Sequence, residues 1–214
     1  MFSELTDELK TAGAKLVAVS KTQSNEAITA LYKSGQRIFG ENRVQEMIPK
    51  HEALPKDIEW HQIGHLQTNK VKSIAPFVAM IHSVDSLRLL LEIEKEAVKN
   101  NRKIDVLLQF HIASEDSKYG MNYRKVRALL EDKKFKTITS VNIRGVMGMA
   151  TYTEDDTLIR SEFRDLKKIF DKLKRDYFPD KEDFTEISMG MSSDYKIALN
   201  EGTTMVRIGS LLFS

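Results

Sequence analysis

Short apolar runs alternate with longer amphipathic segments along this chain, and the alternation recurs eight times. The apolar runs predict strands over 15–21, 37–41, 59–64, 80–84, 104–112, 143–149, 184–189 and 205–210. The segments between them carry apolar residues at helical spacing and predict helices near 25–34, 42–53, 68–75, 86–100, 123–132, 157–176 and 193–201, preceded by one at 3–13. Capping residues stand at several predicted starts: Ser24 or Asn25, Ser86, Asn122, and Asp155 or Asp156. Gly35 and Gly202 fall where helices should stop. Strands that are apolar nearly throughout belong in a parallel sheet buried on both faces. Eight strand–helix units predict an α/β fold, a single (β/α)8 barrel domain over residues 1–214, with an open doubly wound sheet as the rival. The pattern ends after the eighth strand, so the N-terminal helix is expected to pack where a last outer helix would lie.

Composition removes several function classes. The chain has no cysteine, which excludes disulfides, thiolate nucleophiles and cysteine-ligated zinc. Acids and bases are interleaved, as in Glu92-Ile-Glu-Lys-Glu96 and Arg164-Asp-Leu-Lys-Lys168, and the net charge is only +2, so no basic stripe argues for nucleic acid. The first ten residues are acidic and amphipathic, unlike a signal peptide. No apolar run approaches the roughly 20 residues that span a bilayer. A cytoplasmic protein without membrane contact is expected.

Barrels place function at the C-terminal ends of their strands, so chemistry is sought there. The first strand, Lys15-Leu-Val-Ala-Val-Ser-Lys21, ends in a lysine. A lysine at the mouth of a buried strand is either a solvated terminus or an amine able to form a Schiff base with an aldehyde. Such an amine must be neutral to attack, which a nearby cation such as Arg207 favours. The seventh and eighth strands end in Ser188-Met-Gly-Met-Ser-Ser-Asp194 and Met205-Val-Arg-Ile-Gly-Ser210. Loops after strands seven and eight commonly build a phosphate site, and Ser192 and Ser193 are expected to open a helix there. Gly190 and Gly209 would let the backbone approach a ligand, or serve only as turns. Met147-Gly-Met149 and Met189-Gly-Met191 are packing residues or an apolar wall beside a flat ring. His61 and His65 lack metal-ligand spacing, because Gly64 breaks the helix that would align them. His82 and His111, in apolar strands, read as hydrogen-bonded core residues. Lys118-Tyr-Gly120 either clasps an anion or forms a plain loop.

Seven segments in order carry a specific resemblance: Val17-Ala-Val-Ser-Lys21, Phe39-Gly-Glu-Asn42, Trp60-His-Gln-Ile-Gly-His-Leu-Gln-Thr-Asn-Lys70, His82-Ser-Val-Asp85, Gly145-Val-Met-Gly-Met-Ala150, Ser188-Met-Gly-Met-Ser-Ser-Asp194 and Val206-Arg-Ile-Gly-Ser210. Over essentially its whole length the chain resembles the pyridoxal-phosphate homeostasis proteins, the PROSC family. The resemblance implies a TIM-type barrel like the N-terminal domain of alanine racemase, binding pyridoxal 5′-phosphate (PLP). It implies that Lys21 carries PLP as a Schiff base and that Ser192, Gly209 and Ser210 hold its phosphate. Arg207 is implied at the pyridine nitrogen, with Asn42, His61 and Met189 around the ring. A permanently charged arginine there disfavours protonation of the ring and weakens carbanion chemistry. Alanine racemase takes a catalytic tyrosine from a second, β-rich domain, and this chain ends before one begins. The resemblance therefore implies a carrier that buffers PLP and delivers it to apo PLP-dependent enzymes, with no catalytic residues. A racemase-like PLP enzyme is the alternative, and a Schiff-base aldolase without PLP a third reading. Arg43 departs from the family, which often has tyrosine there. A monomer is the default expectation.

Overall fold

The computed structural model describes residues 2–115 and 119–213. Eight parallel strands pair in chain order and close into a barrel when the last meets the first. They are β1 (Lys15–Val19), β2 (Ile38–Glu41), β3 (Glu59–Gln62), β4 (Met80–Val84), β5 (Ile104–Phe110), β6 (Val141–Gly148), β7 (Glu186–Met191) and β8 (Met205–Ile208). The helices are α1 (Phe2–Thr11), α2 (Asn25–Lys33), α3 (Val44–Ala53), α4 (Val71–Ile74), α5 (Leu87–Lys99), α6 (Tyr123–Glu131), α7 (Asp156–Tyr177) and α8 (Tyr195–Asn200). The predicted caps form: Ser24, Ser86, Asn122 and Asp155 accept from backbone N–H groups of α2, α5, α6 and α7.

Period-two alternation gives the strands two apolar faces. Ala18, Phe39, Trp60, Ile81 and Val146 point outward into the core shared with the helices. Val17, Ile63, Met80, Leu107, Met147 and Met205 fill the lumen. At the N-terminal end of the lumen, Lys15 pairs with the buried Glu186, which also accepts from Thr204. Leu5 and Leu9 of α1 pack on Leu16, Val206 and Ile208, covering the seam between β8 and β1 as expected.

Several boundaries differ from the sequence reading. Strand β1 stops at Val19, so Ser20 and Lys21 lie beyond it, and Thr22 takes a left-handed φ of 62°. Strand β7 starts two residues later than predicted, because Phe184 belongs to the preceding turn and stacks on Phe178 and Phe170 at 4.4 and 5.0 Å. The helix expected over 68–75 divides into a 3₁₀ turn at Thr68–Lys70 and the one-turn α4. Among the described residues no helix is long and apolar enough to cross a membrane.

Candidate functional site

A cavity of ≈ 640 Å³ opens at the C-terminal end of the barrel. Its wall takes Val19 of β1 and Lys21 just after it, Asn42 and Ile63 just past β2 and β3, Met149 and Tyr152 past β6, Met191 of β7 with Ser192 and Ser193 after it, and Arg207 of β8 with Gly209, Ser210 and Leu211 after it. Six residues predicted from the sequence meet here: Lys21, Asn42, Ser192, Arg207, Gly209 and Ser210.

Lys21 sits in a turn whose backbone is fixed by bonds from Ser20 N–H to the Gly40 carbonyl (3.0 Å) and from Gln23 N–H to the Ser20 carbonyl (3.0 Å). Its side chain is exposed, and among the described residues its ammonium makes no hydrogen bond or ion pair. The serines lie in a turn ahead of α8, not within its first turn as expected. The reason is Asp194, whose carboxylate accepts from Met191 N–H at 2.6 Å and folds the chain back before the helix begins. Ser192 Oγ accepts from Gly209 N–H at 3.3 Å and ties the two loops together. The backbone N–H groups of Ser192, Ser193 and Ser210 find no partner among the described residues. Hydroxyls and free amides thus converge on one side of the cavity, a donor set suited to an anion.

Arg207 projects into the lumen and is 4% exposed. It donates to Ser188 Oγ (2.6 Å) and to the Gly148 carbonyl (3.0 Å). Ser188 Oγ lies 3.0 Å from His82 Nδ1, and His82 Nε2 lies 2.9 Å from His61 Nδ1. Arginine only donates, and the buried Ser188 hydroxyl has no other acceptor, so its proton goes to His82 Nδ1. His82 then carries its own proton on Nε2 and donates to His61. Both rings are neutral: burial, aided by the charge of Lys15, pushes His61 down to about 3, and burial, aided by His61 and Arg207, lowers His82 well below the usual histidine range. Burial also lowers Arg207 to about 10, against the opposing pull of Asp194, which leaves it charged at neutral pH.

Two predicted ring contacts lie elsewhere. His61 is buried in this chain of bonds and is absent from the cavity wall. Met189 points outward into the helix-facing core and is 0% exposed. Its place is taken by Met191, because β7 carries an extra residue against β8: Ser188 pairs with Met205 but Met191 with Arg207. Alternation from the lumen-facing Ser188 already turns Met189 out, and the bulge that follows turns Met191 in, a switch that no local pattern announces. Met149 and Met191 thus form the apolar wall, while Met147 fills the lumen below. Ile63, Tyr152 and Leu211 also reach the wall without a signal in the sequence. Both glycines are required by packing, and Gly209 also lies on the cavity wall. A Cβ on Gly190 would lie 2.7 Å from Ala198 Cβ, and one on Gly209 would lie 3.1 Å from the Val19 carbonyl oxygen. His111 lies past the end of β5, half-buried, with Nε2 donating to the Glu115 carbonyl (2.8 Å). Lys118 lies outside the described residues, and Tyr119 stacks on His65 at 4.4 Å.

Comparison with known proteins adds a family to this geometry. Residues 2–214 match the family model for the alanine racemase N-terminal domain. A pyridoxal phosphate homeostasis protein of Aquifex aeolicus is 42% identical over 201 residues, which cover 94% of this chain and 86% of that protein. One from Synechocystis is 33% identical over 215 residues, covering 100% and 96%. PipY of Synechococcus elongatus PCC7942, solved with PLP bound, superposes with a TM-score of 0.86 at 33% identity and covers 100% of both chains. Alanine racemase of Clostridium difficile shares the fold, with a TM-score of 0.73 at 14% identity over 97% of this chain and 57% of that one.

Proposed function

The chain belongs to the pyridoxal phosphate homeostasis proteins of the alanine racemase N-terminal domain family, and from that membership we propose that its cavity holds PLP through Lys21. It acts in PLP homeostasis, with residues 1–214 as one cofactor-binding domain whose wall draws on both ends of the chain. The observation that carries this reading is a single cavity shared by an unengaged lysine amine, a cluster of hydroxyls and free amides, and a buried arginine. PLP supplies an aldehyde, a phosphate and a flat ring, and the donor set matches each. In its neutral form Lys21 Nζ adds to the aldehyde carbon, and a C=N bond forms as water leaves; release is the reverse. Ser192, Ser193 and Ser210 hold the phosphate by hydroxyl and backbone N–H. Met149 and Met191 flank the ring, Asn42 borders it, and Arg207 meets the pyridine nitrogen.

The task is buffering and delivery to apo PLP-dependent enzymes, without ordinary turnover. Racemisation needs a second base opposite the lysine. The wall offers only Tyr152 among its described residues, and Tyr152 is 86% exposed at the rim. Arg207 further weakens the ring as an electron sink. The test is borohydride reduction of the PLP-loaded protein followed by peptide mapping, with the adduct expected on Lys21 and the visible absorption lost in Lys21→Ala. An adduct on another residue overturns the assignment. Following the chirality of L-amino acids tests the carrier reading, which falls if inversion runs at about 1 s⁻¹ or faster.

A further inference from the structure

Two residues of α3 hold the backbone on either side of Lys21. Lys50, 8% exposed, donates from Nζ to the Ser20 carbonyl (2.7 Å) and to Glu41 Oε1 (2.7 Å). Glu46 Oε2 accepts from Thr22 N–H at 3.0 Å. Ser20 Oγ gives its proton to the same Glu41 oxygen at 2.6 Å, and Glu41 is 0% exposed. Glu46 and Lys50 stand four residues apart, on one face of the helix. Burial raises the Glu41 carboxyl, and the bonds from Lys50 and Ser20 oppose that rise.

The arrangement is costly for a purely structural feature. A β-branched residue at positive φ, such as Thr22, stores strain unless its surroundings hold it. A buried ammonium needs full compensation, and an apolar side chain of similar length often stabilises as well or better. Here the costly groups grip the residue before Lys21 and the residue after it. None of Glu41, Glu46 and Lys50 lies on the wall of the cofactor cavity; Glu46 and Lys50 line a separate cavity of ≈ 490 Å³ with Thr22.

We propose that Glu41, Glu46 and Lys50 form a clamp that positions Lys21, fixing the backbone from which its amine projects and so setting how readily an aldehyde is captured. They are positioning residues, since none touches the cofactor. A lysine side chain has four rotatable bonds, so its tip is directed only as well as its Cα is held. Displacement of a reacting group by about 1 Å can cost up to 10²-fold in rate. The proposal rests on the reading of Lys21 as the PLP lysine.

The test compares wild type, Lys50→Met, Glu46→Ala and Glu46→Gln. Capture is read as the rate at which visible absorption appears on mixing with PLP. Affinity is read in parallel for pyridoxine 5′-phosphate, which keeps the phosphate and ring but has an alcohol where PLP has its aldehyde. Lys50→Met and Glu46→Ala are expected to slow capture roughly tenfold or more while leaving affinity for the alcohol unchanged. Glu46→Gln, which keeps an acceptor for Thr22 N–H, is expected to capture at the wild-type rate. Wild-type capture rates in both Lys50→Met and Glu46→Ala overturn the clamp, as does an equal loss of affinity for the alcohol. Should Lys50→Met not fold, Glu46→Ala, which removes a partly exposed acceptor and a long surface ion pair with Arg43, decides alone. If wild type forms no adduct at Lys21, the PLP reading fails first, and the two failures are thereby distinguished.

Discussion

Arg207 keeps its charge in a lumen where burial works against it, because Ser188 and the Gly148 carbonyl accept two of its N–H groups. Ser188 is the residue on which that arrangement turns, since it accepts from Arg207 and donates to His82. Ser188→Ala removes both roles and leaves a buried donor and a buried acceptor unpaired. We expect a loss of about 1–3 kcal/mol in denaturant unfolding. We also expect a shifted visible band in the PLP-loaded protein as Arg207 reorients; an unmoved band would separate Arg207 from the ring. Lys21, Arg207, Ser192 and Ser210 were legible in the sequence because polar residues at the ends of apolar strands stand out against their own surroundings. Met191 was not legible, because Met189 and Met191 are equivalent by composition and would share a face in a regular strand, so only the bulge separates them.

At the scale of elements, β7 and its short following helix decide the shape of the cavity. Gly190 at φ +95° forms the bulge, and α8 sits against it so closely that an added Cβ would lie 2.7 Å from Ala198 Cβ and 3.1 Å from Tyr195 Cα. Gly190→Ala meets both an unfavourable φ and a clash with the Ala198 methyl, which is fixed to α8 and has no rotamer to swing aside. We expect a destabilisation of about 1–3 kcal/mol in thermal unfolding, with weaker retention of PLP as Met191 and Ser192 shift. Retention equal to wild type would show that the bulge does not shape the site. Helix α3 has a different part. Its amphipathic period announced a helix, yet Lys50 reads in sequence as one more surface charge. Its burial comes from the Ser20 carbonyl and Glu41 carboxylate waiting beneath it, groups supplied by the turn after β1 and by the end of β2.

For the whole molecule, the two neutral histidines in the lumen make stability depend on acid. Their folded pKa values lie below the ordinary 6.5, with His61 at about 3, so the unfolded chain binds protons that the folded chain refuses. Stability is therefore complete above pH 6.5 and is lost as pH falls below it, by at most about 1.4 kcal/mol per pH unit for each histidine. The loss sets in before most carboxylates protonate. Urea unfolding between pH 7 and 5 is expected to show this slope in wild type and a slope smaller by one proton in His82→Gln; equal slopes would mean that His82 is charged when folded. The sequence by itself determined the order of strands and helices, the capping residues, the apolar faces and the polar strand ends, because each depends on neighbours within a few positions. Only the tertiary structure decided which of those polar groups meet. The relay from Arg207 to His61 crosses four strands, the cavity needs β8 closed on β1, and the clamp on Lys21 joins the turn after β1 to β2 and α3. Those meetings depend on register, bulge and closure, which arise from pairing between segments far apart in the chain and leave no mark in any single segment's pattern.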